Sequence, residues 1–179
     1  NETLPARIHE LFPRYVELLK ALIRIPSISF DHFDQNEVHR SAQAVKALFE
    51  SYGFTNAQLL VPESGRASVF AELKTHPENP TVLLYAHHDV QPTMREALWE
   101  SAPFAPEIGT DKSGIILHIA AVSQALAVCG DRMPNVKFII EGEEECGSSG
   151  FGELLEKNRE LLRADAVIIA DLSNFSAGT

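Results

Sequence analysis

The sequence has little cysteine and no excess of basic residues, and both shortages restrict what the protein can be. Its 179 residues include two cysteines, Cys129 and Cys146. Two are too few for a disulfide framework, so a reducing cytoplasm is the expected location. Fifteen basic residues stand against 25 acidic ones, which gives a formal net charge of −10. A chain of this charge is a poor partner for nucleic acid or an anionic membrane.

Other signals are missing as well. No apolar run approaches the length of a membrane-spanning helix, and the first residues lack a signal-peptide pattern. Neither a Gly-x-Ser-x-Gly nucleophile elbow nor a phosphate-binding loop is present, and no segment is repeated. What remains is a chain that is 45% hydrophobic, which suffices for one domain with a sizeable core.

Hydrophobic periodicity predicts strands that alternate with helices. This alternation indicates an α/β fold, a three-layer α/β/α sandwich with a largely parallel mixed central sheet. The residues 57–61 and 67–73 should pair as a hairpin. Pro13 is a place where the first helix could break, and the third helix is apolar enough to be deeply buried. The predicted helices are 2–25, 37–52, 113–129 and 151–162, and the predicted strands are 57–61, 67–73, 82–86, 136–140 and 166–170.

Three of the apolar strands run directly into side chains that can bind a metal. His87 and Asp89 follow the strand 82–86, Glu144 and Glu145 follow the next, and Asp171 follows the last. If these strands are parallel neighbours, their carboxyl ends meet at one edge of the sheet, where α/β proteins place their ligands.

His87 and Asp89 are two residues apart and therefore point to the same side of an extended chain. An imidazole that binds a metal through one nitrogen usually donates its other N–H to a carboxylate. The His-x-Asp pair can supply a ligand and its orienting partner, or two ligands. His88 should point the opposite way, either exposed or facing substrate, and His118 should be a hydrogen-bonded histidine of the core.

The run Glu141 to Glu145 holds four carboxylates that repel one another. A solvated turn could tolerate this, but a buried strand end needs cations. No Lys or Arg lies close by in sequence, so a divalent metal is the natural counter-charge. Imidazole and carboxylate ligands favour Zn²⁺, with Mn²⁺ or Co²⁺ as alternatives. Two such metals are typical of hydrolases that activate water, and one of two adjacent glutamates could serve as the base.

Three motifs in order resemble the M20 metallopeptidases, and most of all their dipeptidase branch, which includes carnosinase-like and cytosolic non-specific dipeptidases. They are Tyr85 to Pro92, Leu98 to Phe104 and Ile140 to Ser148. The resemblance implies a zinc-peptidase-like fold, two divalent metal ions and the hydrolysis of dipeptides or related amides.

The resemblance also implies a role for each matching residue. His87 would be a metal ligand and Asp89 the carboxylate that orients it. Glu144 would be the general base and Glu145 a metal ligand. Asp171 would bind the other metal.

Two departures from the family pattern stand out. The family carries two adjacent aspartates before its Lys-Gly, and the first bridges both metals; here Asp111 precedes Lys112, and Thr110 occupies the bridging position. Either this join is a true deletion or residues are missing from the chain there. We predict a physical break, with a consecutive Cα pair between residues 108 and 111 much farther apart than about 3.8 Å. The family also continues into a lid and dimerisation domain, and then returns with one more histidine ligand.

Residues 1–179 are therefore interpreted as the N-terminal portion of a metallopeptidase catalytic domain without its lid. The substrate would be a small peptide, and dimerisation of the full-length protein through the lid is left open. Such a fragment is expected to be inactive. Two alternatives are an aminoacylase or deacylase of the same fold, and a catalytically dead scaffold that acts as an interaction module.

Overall fold

The computed structural model describes residues 4–94, 102–105 and 112–171. The predicted break between residues 108 and 111 lies outside these residues, as does the motif residue Trp99. In chain order the elements are α1 (Leu4–Ile23), α2 (Gln35–Ser51), β1 (Thr55–Leu60), β2 (Ser68–Leu73), β3 (Thr81–His87), α3 (Ser113–Cys129), β4 (Asn135–Glu141), α4 (Phe151–Lys157), α5 (Arg159–Leu162) and β5 (Ala166–Ile169), with 3₁₀ turns at Gly130–Arg132 and Glu144–Cys146.

The five strands form one mixed sheet in the order β1-β2-β4-β3-β5. The strand β3 pairs in parallel with β4 on one side and with β5 on the other. The predicted hairpin of β1 and β2 is confirmed, and β2 pairs antiparallel with β4. Because β3, β4 and β5 are parallel, their carboxyl ends meet at the same edge of the sheet, which confirms the arrangement expected from the sequence.

Helices cover both faces of the sheet and make three layers. On one face the strand residues Val69, Leu84 and Phe138 pack in a cluster with residues of α1, α2 and α3. On the other face Leu83 and Ile139 pack with residues of α4 and α5. Neighbouring strand residues thus alternate between two cores, as the two-residue period of a strand requires.

The first helix differs from prediction because Pro13 does not break it. A proline removes one N–H and crowds the preceding turn, at a cost of about 3 kcal/mol. Pro13 lies on the exposed side, while Tyr15 and Leu22 of the same helix are buried in the core. Packing on this face keeps the helix continuous.

The predicted helix 151–162 is instead two helices that meet at Asn158. The Asn158 side chain donates a hydrogen bond of 2.8 Å to the carbonyl oxygen of Leu154. This contact between a side chain and the backbone competes with regular helix geometry, which accounts for the interruption.

The helix α3 is less buried than its composition suggested. Ile115 and Ile119 are fully buried, but Leu117 is 61% exposed. A helix that covers one face of a sheet can bury only one side. Contrary to the expectation from the sequence, the segment Ser113–Arg132 is long and apolar enough to cross a membrane by length and composition. Here it packs against α1 and β3.

Candidate metal centre

Three side chains converge at the carboxyl edge of the sheet. His87 ends β3, Glu144 begins the turn that follows β4, and Asp171 follows β5. One ligand atom from each lies within 4.8 Å of the others. The Nε2 atom of His87 is 3.5 Å from Oδ1 of Asp171. As predicted, His87 at the end of β3 and Asp171 after β5 lie together at this edge of the sheet.

The ring of His87 is oriented by Asp89. Its Nδ1 atom lies 3.3 Å from Oδ1 of Asp89 and 3.1 Å from the Asp89 carbonyl oxygen, so Nε2 is the nitrogen that faces Asp171. Burial alone would lower the pKa of His87, but the hydrogen bond and charge of Asp89, aided by Asp171 and Glu144, raise it to about 9. The ring is thus surrounded by negative charge that favours a cation at this place.

Asp89 is fully buried and connects His87 to the glutamate turn. Its two carboxylate oxygens accept the backbone N–H groups of Glu144 at 3.3 Å and Glu145 at 3.0 Å. Burial would raise the pKa of Asp89, but the hydrogen bond and charge of His87 hold it below its usual value. Because these oxygens already accept hydrogen bonds, the geometry favours an orienting role for Asp89.

The two adjacent glutamates point in different directions. The Glu144 carboxylate faces His87 and Asp171, whereas the Glu145 carboxylate accepts a hydrogen bond of 2.7 Å from Nε2 of Gln91. Burial raises the pKa of Glu144, and the charges of Glu145 and Asp171 add to this against the opposing effect of His87. Their roles as base and ligand stay predictions.

The other two acidic residues of the run Glu141 to Glu145 do not join the centre. Glu141 is buried and accepts a hydrogen bond of 2.7 Å from the hydroxyl of Tyr85, and burial raises its pKa. Glu143 is also buried and accepts the backbone N–H groups of Arg66 and Gly150. Sequence reasoning grouped all four carboxylates, since nothing in the local sequence indicates these distant partners.

The neighbouring histidines are structural. The expectation that His88 is exposed or faces substrate is wrong: it is fully buried, its ring contacts the carbonyl oxygen of Ala67 at 2.9 Å, and burial lowers its pKa to about 4. The hydroxyls of Ser27 and Ser41 donate to the backbone carbonyl oxygen of His88. His118 is a core histidine, as predicted, bonded to the Tyr85 carbonyl at 2.9 Å.

The donor set fits a divalent cation. An imidazole nitrogen and two carboxylates lie within 4.8 Å of one another, and hard or borderline metals prefer such N and O ligands. A cation here would also offset the repulsion between Glu144 and its acidic neighbours. Cys146 is half-buried, and its thiol faces the carbonyl oxygen of Glu143 at 3.5 Å.

Comparison with known proteins defines the class to which this fold and site belong. The model of peptidase family M20/M25/M40 matches residues 83–178, more than half of the chain. The chain therefore belongs to the M20 family.

Particular relatives are dipeptidases. The Cys-Gly metallodipeptidase DUG1 of Candida albicans is 32% identical over an alignment 197 residues long. The alignment covers 96% of this chain and 40% of the relative. The Beta-Ala-His dipeptidase of Homo sapiens is 38% identical over 115 residues, 58% of this chain and 23% of the relative. The chain thus spans about two fifths of DUG1.

Solved structures of dipeptidases have the same fold as this chain. Human carnosine dipeptidase 1 superposes with a TM-score of 0.81 at 28% identity, covering 97% of this chain and 41% of that protein. The dipeptidase Dug1p of Saccharomyces cerevisiae also gives a TM-score of 0.81, at 27% identity, over 94% of this chain and 40% of that protein.

Proposed function

We propose that the chain is part of the catalytic domain of a metal-dependent dipeptidase that hydrolyses dipeptides or related amides at a dinuclear centre. The observation that carries this proposal is the convergence of His87, Glu144 and Asp171 within 4.8 Å at the carboxyl edge of a sheet. The M20 membership and the dipeptidase relatives support it. In this view residues 1–179 are the N-terminal portion, and a lid domain lies outside the chain.

In this proposal His87 and Asp171 hold metal at the strand ends, and Glu145 joins them as a ligand. His87 would bind through Nε2, because Nδ1 faces Asp89. Glu145 hydrogen-bonds Gln91, so it must exchange this contact for the metal. Bound metal would supply a Lewis acid that polarises the scissile carbonyl and makes water more acidic.

The remaining chemistry comes from the chain itself. Asp89 keeps the proton of His87 on Nδ1 and leaves Nε2 free to act as a ligand. Glu144 takes a proton from the attacking water and passes it to the leaving amine. A carboxylate with a raised pKa suits this task, since it must both accept and release the proton near neutral pH, and burial raises the pKa of Glu144.

Zinc is the metal that we propose, with manganese or cobalt as alternatives, because the set combines imidazole with carboxylates. The cytoplasm is the proposed compartment, which agrees with two unpaired cysteines, one of them exposed. The partner would be a small peptide rather than nucleic acid or a membrane.

The test is a substrate panel on the intact protein, stripped of metal and reloaded with zinc or manganese. Cys-Gly and β-Ala-His represent the dipeptides named for the relatives, and an N-acetyl amino acid represents deacylase substrates. We expect metal-dependent hydrolysis of dipeptides that His87→Ala abolishes. Hydrolysis of the N-acetyl amino acid alone would assign a deacylase. No zinc uptake, together with inactivity after the metal is added back, would indicate a scaffold.

A further inference from the structure

Glu143 has a side chain that the proposed chemistry does not use. It directly precedes Glu144, yet its carboxylate turns away from the metal centre and is 1% exposed. Oε1 accepts the backbone N–H of Gly150 at 2.5 Å, and Oε2 accepts the backbone N–H of Arg66 at 3.2 Å. A buried carboxylate that receives N–H groups from two separate loops connects them firmly.

The two loops are shaped to receive this carboxylate. A Cβ atom at Gly65 would lie 2.6 Å from Oε2 of Glu143, and Gly65 has a φ of +130° that other residues rarely adopt. A Cβ at Gly150 would lie 3.0 Å from Oε1 and 2.0 Å from the carbonyl oxygen of Ser64. Both glycines therefore leave space that the carboxylate fills.

This contact completes a clamp on the glutamate turn. On one side the Asp89 carboxylate accepts the N–H groups of Glu144 and Glu145. On the other side Glu143 binds Gly150 through its side chain, and its carbonyl oxygen accepts the N–H of Ser148 at 2.9 Å. The backbone that carries Glu144 is thus held from both ends.

We propose that Glu143 is a positioning residue: its buried carboxylate, anchored on Gly150 and Arg66, fixes the turn that aims Glu144 at His87 and Asp171. This inference rests on the proposed function. Glu143 contacts neither substrate nor metal in this proposal, and it acts only through the backbone of the turn. Arg66 extends the anchor, because its guanidinium hydrogen-bonds Asp31 and Gln35.

The substitution Glu143→Gln tests the proposal with little change of shape. Both hydrogen-bond partners of the carboxylate are backbone N–H donors, and the Arg66 guanidinium lies 4.0 Å from Oε2. Either orientation of an amide therefore sets its NH₂ group against a donor. We expect kcat to fall about 10- to 100-fold, since small misplacements of a catalytic group have effects of this order. KM and bound metal should stay at wild-type values.

Glu153→Gln is the matched control. The Glu153 carboxylate also accepts a backbone N–H, that of Glu63 at 3.2 Å, and it pairs with Lys157 at 2.7 Å on the surface. It lies outside the clamp, so kcat should not change. Hydrogen exchange adds a readout that does not need activity. Residues 144–150 and the Arg66 N–H, which the Glu143 carboxylate accepts, should exchange faster in Glu143→Gln and normally in Glu153→Gln, with the rest of the chain unchanged.

Each remaining outcome decides the question. Wild-type kcat and exchange in Glu143→Gln would overturn the proposal, and so would faster exchange throughout the chain, which indicates a general loss of stability. If Glu143→Gln does not fold, Glu143→Asp keeps an acceptor-only group that is too short for both loops. Glu143→Asp should show a lowered kcat and faster hydrogen exchange that is confined to the glutamate turn and its anchors. Wild-type kcat and exchange in this variant would again overturn the proposal. A wild-type protein without dipeptidase activity would refute the proposed function, while the exchange data would still decide the anchoring role.

Discussion

The backbone N–H of Glu145 donates a hydrogen bond of 3.0 Å to Oδ2 of Asp89. The same carboxylate lies 3.3 Å from Nδ1 of His87 through its other oxygen. One buried side chain therefore sets both the orientation of the imidazole and the position of the glutamate turn. The end of β3 and the turn after β4 are coupled through Asp89.

The substitution Asp89→Asn should weaken metal binding by about 10- to 100-fold, as loss of a partner behind a ligating histidine typically does. An asparagine must place its NH₂ group towards either His87 or a backbone N–H of the turn. Zinc affinity can be measured by competition with a chromophoric chelator. Unchanged affinity would show that Asp89 does not orient the ligand.

The substitution Glu144→Gln should lower kcat by about 10²- to 10⁴-fold and leave zinc in place, because it removes a base and keeps a side chain of the same shape. The measurement combines steady-state kinetics with metal analysis of the purified variant. Loss of zinc together with activity would instead make Glu144 a ligand, a role that its distance to His87 and Asp171 would also permit.

Gly142 should not tolerate a side chain. A Cβ there would lie 2.4 Å from the carbonyl oxygen of Ala67 and 2.8 Å from Nε2 of His88. Gly142→Ala should therefore lower the free energy of unfolding by about 1–3 kcal/mol, the usual cost of overpacking. Gly152→Ala is the control, since nothing lies within 4 Å of its Cβ and a helical alanine gains about 0.5–1 kcal/mol. Denaturant titration compares the two, and equal stabilities would contradict the packing described for Gly142.

Burial of His88 predicts a pH dependence of stability. Its pKa is lowered from 6.5 to about 4 in the folded protein, so between these values the unfolded chain binds a proton that the folded chain does not. The neutral, buried His88 ring therefore contributes fully to the free energy of unfolding above pH 6.5, and this contribution is lost as the pH falls towards 4. The free energy of unfolding should fall by up to about 3 kcal/mol over this range.

Urea unfolding of the metal-free protein across this range should show the loss, and His88→Gln should flatten the slope relative to wild type. Metal-free protein is used so that metal binding to His87 does not contribute to the pH dependence. An equal slope in both proteins would show that His88 titrates normally.

Several features of the fold followed from local pattern. The strands 82–86 and 136–140 are short apolar runs, and their parallel pairing brings His87 and the glutamate turn to one edge, as predicted. Helix 113–129 was predicted with the bounds that the structure gives it. These features depend on period and composition, which a sequence displays directly.

Features that depend on distant partners could not be predicted. Glu143 looked like one more charge in an acidic run, but its partners Gly150 and Arg66 meet it only in the folded chain. His88 looked polar enough for the surface, but its ring is buried against the carbonyl oxygen of Ala67, which is distant in sequence. Which of the adjacent glutamates faces His87 depends on the 3₁₀ turn that carries them, whose geometry the sequence does not specify.

The central claim is that the strand ends of β3 and β5 share a metal centre, and anomalous diffraction at the zinc edge tests it most directly. Crystals of the intact protein with stoichiometric zinc should show anomalous density at this edge of the sheet. Ligand distances of about 2.0–2.2 Å should connect it to Nε2 of His87 and to a carboxylate oxygen of Asp171. Density elsewhere, or no density near His87 and Asp171 in zinc-loaded protein, would contradict the assignment.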